Sequence, residues 1–181
     1  MKKLSLLFTK DGLQWHISKG KTVLEEAFHF VTEETSPHLV EQKLDEILKF
    51  DDYKEIEVIS ALNHFSLTPD TFAEHELGYK LISYNAPVDE ANEELMLSVN
   101  KKFAVQFYYT FPKHFYQKIK AKKLPTKFNF SGEKFLNALT VKNHKEIHIN
   151  LYHHQVEFFA FENKKVVLYN NLDADSEVDF L

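Results

Sequence analysis

A chain of 181 residues, 44% hydrophobic and 14% aromatic, is long and apolar enough to bury one large core or two small ones. Its 22 basic residues are all Lys and it has no Cys. Arginine fingers, guanidinium forks, disulfides, thiolate nucleophiles and cysteine-ligated metals are therefore excluded, and a formal charge of −5 argues against nonspecific nucleic-acid binding by the whole chain.

The N-terminal MKKLSLLFTKDGLQW has two lysines and then an apolar run that Thr9, Lys10 and Asp11 end, too short for a signal-peptide core. No later stretch reads as long and apolar enough to span a bilayer, so no membrane is expected and the cytoplasm is the expected compartment. Leu4–Phe8 and Leu13–Ile17 are β-rich runs around TKDG, with Asp11-Gly12 as the hairpin signal. Thr22–Val31 reads as a third extended run, with a helical alternative at Leu24–Ala27. Ser36 caps a helix that Pro37 opens, in which Leu39, Val40, Leu44, Ile47 and Leu48 recur at helical spacing. Glu55–Leu62 follows as a strand.

Thr68-Pro69-Asp70 predicts a short helix over Asp70–His75, followed by another around Tyr79–Ile82 and a polar loop over Tyr84–Asn92. Leu95–Val99 and Phe103–Thr110 alternate as strands about an Asn100-Lys101-Lys102 turn, and a helix runs over Pro112–Lys122. Phe128–Phe130 is a short strand, and Ser131 caps a helix through Leu139. Ile147–Tyr152, Val156–Phe161 and Val166–Tyr169 form a three-stranded meander with its second turn over Glu162–Lys165.

A shift of roughly 143 residues lays LSLLFTKDGLQWHI, from Leu4, without gaps on IHINLYHHQVEFFA, from Ile147. Leu4, Leu6, Phe8, Leu13 and Trp15 then meet Ile147, Ile149, Leu151, Val156 and Phe158. Each hairpin is followed by a third strand and then a helix start, at Ser36-Pro37 and at Asp175-Ser176. Any two amphipathic hairpins can align this well, so the repeat alone leaves duplication and coincidence both open. On the duplicated reading, His153–His154 are a hairpin tip where TKDG stands in the first copy.

The hairpin KLSLLFTKDGLQWHIS, the phrase SALNHFSLTPDTFA and the ending EIHINLYHHQVEFFAFENKKVVLYNNLDADSEVDFL together resemble the bacterial family called domain of unknown function 3822. The best markers are Phe65, Leu67, Thr68 and Pro69, and the LYNNL…DFL ending, and the likeness covers nearly the whole chain. The resemblance implies an α/β (mixed α+β) actin-like ATPase fold of ribonuclease H-like type, with no established activity. Residues 1–143 would be a complete first subdomain, and residues 144–181 the opening meander of a second, truncated one.

Actin-like ATPases grip phosphate and Mg²⁺ with the first hairpin of each half, using an Asp at the strand end and a Gly in the turn. With the resemblance laid on these hairpins, Leu7 stands at the first Asp position and Thr9 at its Gly position. In the second copy Asn150 and Tyr152 stand there. Neither Leu nor Asn carries the charge that holds Mg²⁺, and Tyr obstructs close backbone approach. Hydrolysis is therefore not expected, no cofactor is assigned, and an ATPase with an atypical site is the last-ranked alternative.

Other clusters have plain explanations. His144 and His148, in HKEIH, lack the spacing and helical setting of a zinc-binding helix, so no metal site is assigned. Asp173, Asp175, Glu177 and Asp179 lack the glycine and spacing of a calcium loop. Lys113, Lys118, Lys120, Lys122, Lys123 and Lys127, near Phe115, Tyr116, Phe128 and Phe130, form a candidate anionic-partner patch, against which stands a solvated helix face. The expected function is a non-catalytic interaction or scaffold module with a protein partner, and the alternative from another class is a nucleic-acid-associated module using that patch.

Overall fold

Period-two alternation at the N-terminus builds the largest sheet. The computed structural model describes residues 1–31, 38–72 and 74–176. Strands β1 (Lys2–Thr9), β2 (Gly12–Lys19) and β3 (Thr22–Phe30) form an antiparallel meander. The helical alternative at Leu24–Ala27 gives way because β3 pairs with β2 from Thr22 to Phe30, with a bulge at Leu24. Helix α1 (His38–Leu48) then returns the chain so that β4 (Tyr53–Ser60) lies parallel to β1. The expected start of α1 at Ser36-Pro37 lies outside the described residues.

The fifth strand, β8 (Thr126–Phe130), lies parallel to β4, which gives the order β3-β2-β1-β4-β8. Leu4, Leu6, Phe8, Leu13, Trp15 and Ile17 are buried in one cluster with Val40, Leu44, Ile47 and Leu48 of α1 and Ile119 of α3 (Lys113–Ala121). Each such side chain contributes roughly 1.5–3 kcal/mol by leaving water.

Between β4 and α3 the chain makes a separate sheet of β5 (Phe65–Pro69), β6 (Glu93–Asn100) and β7 (Val105–Pro112), in the order β5-β7-β6, with α2 (Gly78–Ser83) against it. Here the sequence reading is corrected. FSLTP is a strand, paired from Phe65 with Tyr109 to Pro69 with Val105. No helix covers residues 70–72 or residue 74. Residues 70 and 71 turn, and a 3-10 turn spans His75–Leu77. Pro69, which read as a helix opener, is tolerated at the end of an edge strand.

Helix α4 (Ser131–Ala138) leads into a third sheet, β9 (Glu146–Leu151), β10 (Gln155–Glu162) and β11 (Lys165–Asp173). Asn163 and Lys164 turn the second hairpin with positive φ at both positions, the primed geometry that suits strand twist. Phe159, Phe161 and Tyr169 from this sheet pack with Phe65, Phe107 and Tyr109 of the second sheet, and with Phe130 and Leu136. The order β9-β10-β11 repeats β1-β2-β3. The first sheet continues past β1 to β4 and β8, whereas no described strand pairs with the free edge of β9. Among the described residues no helix is long and apolar enough to cross a membrane.

Candidate functional site

The two hairpin tips, the places where the resemblance lays phosphate loops, touch. In the first, Thr9 pairs with Gly12 across a turn of Lys10 and Asp11, so Gly12 opens β2 rather than sitting in the turn as the Asp11-Gly12 signal suggested. Gly12 is required there. Its φ is +139°, and a Cβ would lie 2.0 Å from the His29 carbonyl oxygen. The Thr9 hydroxyl accepts from the Asp11 backbone N–H at 3.2 Å, which fixes the turn. In the second hairpin the Tyr152 N–H donates to the Gln155 carbonyl at 2.8 Å, which leaves His153 and His154 as the two tip residues.

His154 and Asp11 join the tips. The His154 backbone N–H donates to Asp11 Oδ2 at 3.0 Å, and its Nδ1 lies 3.2 Å from Oδ1. A carboxylate only accepts, so the Nδ1 position carries the proton. The two residues are 143 apart, the offset of the repeat, so equivalent positions of the two copies bind each other. Lys10 reinforces the junction by pairing with Asp173 at 2.8 Å and Asp175 at 3.1 Å. Burial alone would lower the pKa of the Lys10 ammonium, but the hydrogen bonds it donates to these two carboxylates outweigh that and raise it. His153 packs on Phe28 and Phe30, with ring centroids 4.6 and 4.4 Å away.

The chemistry of the tips follows. In a phosphate loop, turn N–H groups face the anion. Here the His154 N–H is already engaged by the chain's own carboxylate, Asp11.

The four positions that the resemblance lays on phosphate loops separate by copy. Leu7 is half-buried in β1 between Gln14 and Ile59, and Thr9 holds its own turn. Asn150 and Tyr152 converge on one residue, Glu157 of β10, which is 0% exposed. Its Oε1 accepts from Asn150 Nδ2 at 2.8 Å and from the Tyr152 hydroxyl at 2.7 Å. Its Oε2 accepts from Ser131 Oγ at 3.0 Å and the Tyr169 hydroxyl at 2.8 Å.

Ser131 is thus not the cap expected of it. It is the first residue of α4, with no side-chain cap bond at that helix start, and its hydroxyl serves Glu157 instead. Burial first, and then the Glu157 charge, push the Tyr152 and Tyr169 phenols well above their usual range. Gln155, the counterpart of Gly12, donates to the Ala61 carbonyl and to Asn171 Oδ1, tying the second hairpin to the end of β4.

Sequence reasoning missed Glu157, Asp11 and Ser131 as a set. The available signals were a carboxylate in the middle of the apolar run QVEFFAF and the repeat offset linking Asp11 to His154.

The other candidates resolve simply. His144 and His148 both turn to Glu146, at 3.0 and 2.8 Å, and no group of metal-holding side chains occurs among the described residues. Asp173 and Asp175 face Lys10, while Glu177 and Asp179 lie outside the described residues.

In the Lys patch, Lys118 pairs with Glu41 and Asp45, and Lys122 with Asp51. Lys113 donates to the carbonyls of Glu90 and Ala91. Lys120, Lys123 and Lys127 form no ion pair among the described residues. Of the neighbouring aromatics, Phe115, Tyr116 and Phe128 pack against the first core and Phe130 is buried in the second.

A family model described as "Protein of unknown function (DUF3822)" matches residues 1–181. The chain belongs to this family. No curated protein sequence matches the chain. Among solved structures, a Bacteroides thetaiotaomicron protein with an actin-like ATPase fold and unknown function superposes with a TM-score of 0.80 at 20% identity, over 99% of this chain and 72% of that one.

The cytoplasmic domain of EpsL, an inner membrane component of the type II secretion system of Vibrio cholerae, gives a TM-score of 0.54 at 11% identity, over 96% of this chain and 71% of that one. A chain of the PilM–PilN type IV pilus biogenesis complex gives 0.57 at 13% identity, over 98% and 63%. These likenesses establish the mixed α/β, actin-like fold. The DUF3822 chain thus keeps the architecture of an ATPase fold around tips that carry an internal carboxylate.

Proposed function

We propose that this DUF3822 protein is a non-catalytic actin-like protein that serves as an interaction or scaffold module for a protein partner. The reading rests on one observation above all: Asp11 of the first tip binds the backbone N–H and ring of His154 of the second. A nucleotide phosphate would have to displace that carboxylate and approach beside the Lys10–Asp173–Asp175 cluster, where carboxylates outnumber the single lysine. Leu7, Thr9, Asn150 and Tyr152 supply neither a metal-ordering carboxylate nor a glycine. On this reading residues 1–143 form a first subdomain and residues 144–181 the opening of a second, joined at the tips and through Glu157.

A protein partner is supported by the company of the fold. EpsL is described as a secretion-system component, and PilM in a complex with PilN. The test is calorimetry with ATP and Mg²⁺, which should give no binding heat. Micromolar affinity would sink the reading.

A further inference from the structure

The β5-β7-β6 sheet and the β11-β10-β9 sheet approach each other along strands that each end their own sheet. Strand β5 has β7 as its one neighbour and β11 has β10, among the described residues. Phe65 of β5 and Tyr169 of β11 meet edge to face, with ring centroids 5.0 Å apart. The two strands line a groove of about 710 Å³ along residues 63–67 and 167–172, and residues 85–87 complete it. That volume lies within the range of binding sites.

Ladder alternation assigns the backbone groups of each wall. The His64 carbonyl accepts from the Thr110 N–H at 3.0 Å, so His64, Ser66 and Thr68 turn their backbone groups toward β7. Phe65, Leu67 and Pro69 turn theirs to the free edge, and Pro69 thus stands where the ladder needs no N–H. In β11 the Ala174 N–H donates to the His154 carbonyl at 2.9 Å, which by the same alternation puts Tyr169 and Asn171 on the free edge. The Asn171 N–H meets no strand there and donates instead to the side-chain oxygen of Asn170 at 2.9 Å. None of the lining residues is Asp, Glu, Lys or Arg, and His64 is engaged by Glu93 at 2.8 Å. Charged ligands therefore find no free counter-charge in the lining, whereas peptide groups find donors and acceptors along the strands.

We propose that this groove binds an extended, uncharged segment of a partner protein, which adds as a strand to the free edge of β5. Its main chain pairs with Phe65 and Leu67, and its other side faces Asn171, whose N–H the Asn170 side chain holds in the free protein. A small polyol would use the asparagines but leave the outward groups of β5 unmatched, and a strand meets them in register. The repeat places the fold's own growth elsewhere. Strand β11 is the counterpart of β3, which stays last in its sheet, while the first copy adds β4 and β8 on the far side, past β1. Strands added to the β9–β11 sheet on that plan pair with β9, away from the groove. The inference rests on the interaction-module reading and names the surface and the kind of partner.

The test pans a phage-displayed library of linear peptides on the full chain and maps the selected peptide, made synthetically, by hydrogen exchange. Saturable slowing of exchange at Phe65 and Leu67 is expected. N-methylation at one alternate set of peptide residues should weaken binding at least about tenfold, and far more than at the other set, because one edge of the peptide is paired. Leu67→Pro, which removes an outward N–H as Pro69 already does two residues on, should weaken it about tenfold. If that variant does not fold, the N-methyl series still decides. Failure to select a peptide, a charged consensus, protection elsewhere, or binding indifferent to N-methylation overturns the proposal. So does protection of both amides in the chain alone, because the groove is then filled by the chain itself. Failure here leaves the nucleotide-free reading standing, since that reading is decided by ATP binding alone.

Discussion

The two hairpins share strand alternation, turn length and strand order, yet β9 exposes the face that β1 buries, while Val156 of β10 is buried like its counterpart Leu13. The first turns Leu4, Leu6 and Phe8 into the core beneath α1. The second leaves Ile147, Ile149 and Leu151 open and buries the other side, where Glu157 collects four hydrogen bonds. A repeated strand pattern therefore does not fix a repeated environment. Which face of a sheet becomes core depends on what is packed against it, and among the described residues β7 and α4 pack against the β9–β11 sheet.

Equivalent substitutions in the two copies should break this comparison open. The largest contrast is expected at Glu157 and its counterpart Gln14. Glu157→Ala strands four donors in a closed site and should cost about 4 kcal/mol, whereas Gln14→Ala, which loses one surface bond to Glu26, should stay within about 0.5 kcal/mol. Urea midpoints at constant m-value would measure both. Next comes Leu6→Ala, expected to cost about 3 kcal/mol through lost burial and a cavity, against less than about 0.5 kcal/mol for Ile149→Ala. Similar losses at both positions would mean that the open face is covered in the isolated chain.

Extremes of pH should attack the two regions from opposite ends. Burial pushes the Glu57 carboxyl up, but hydrogen bonds from Lys134 and Lys3 outweigh it and bring its pKa down to about 2 from the ordinary 4.5. A lowered carboxylate pKa gives stability that is present above pH 4.5 and lost as pH falls toward about 2. In the second sheet the raised Tyr152 and Tyr169 phenols work the other way. Their stabilising share is intact below about pH 10, where the unfolded phenols are neutral, and declines as pH rises beyond it. Unfolding midpoints across both ranges check the signs, and Tyr152→Phe should flatten the alkaline limb alone. The smallest effect belongs to the tip junction. Asp11→Asn should cost under about 1 kcal/mol, and the difference should shrink with added salt because His154 is half-exposed.

Much of this architecture was legible in the residues. The hairpin β1–β2 and the meander β9–β11 are written in alternation and turn residues, so their strands and the repeat could be read locally. Strand β5 could not. Its five residues end in Pro69 beside an Asp that reads as a helix start, and only pairing with β7, some forty positions away, makes it a strand. The site divides the same way. From their place in the repeat Asn150 and Tyr152 read as ill-suited to phosphate. What they do instead was hidden, because Glu157 gathers Ser131 from α4 and Tyr169 from β11, which meet only in the folded chain. The His153–His154 pair is indeed the hairpin tip, but one of its rings closes on Asp11, a contact that neither hairpin shows by itself.

The most direct measurement follows the backbone amides of Lys10, Asp11, His153 and His154 by NMR during titration with ATP and Mg²⁺. With the tips occupied by the Asp11 carboxylate, these four signals should stay in place up to millimolar nucleotide. Saturable shifts at micromolar concentration would show that the tips still bind phosphate and that the chain is no pseudo-ATPase.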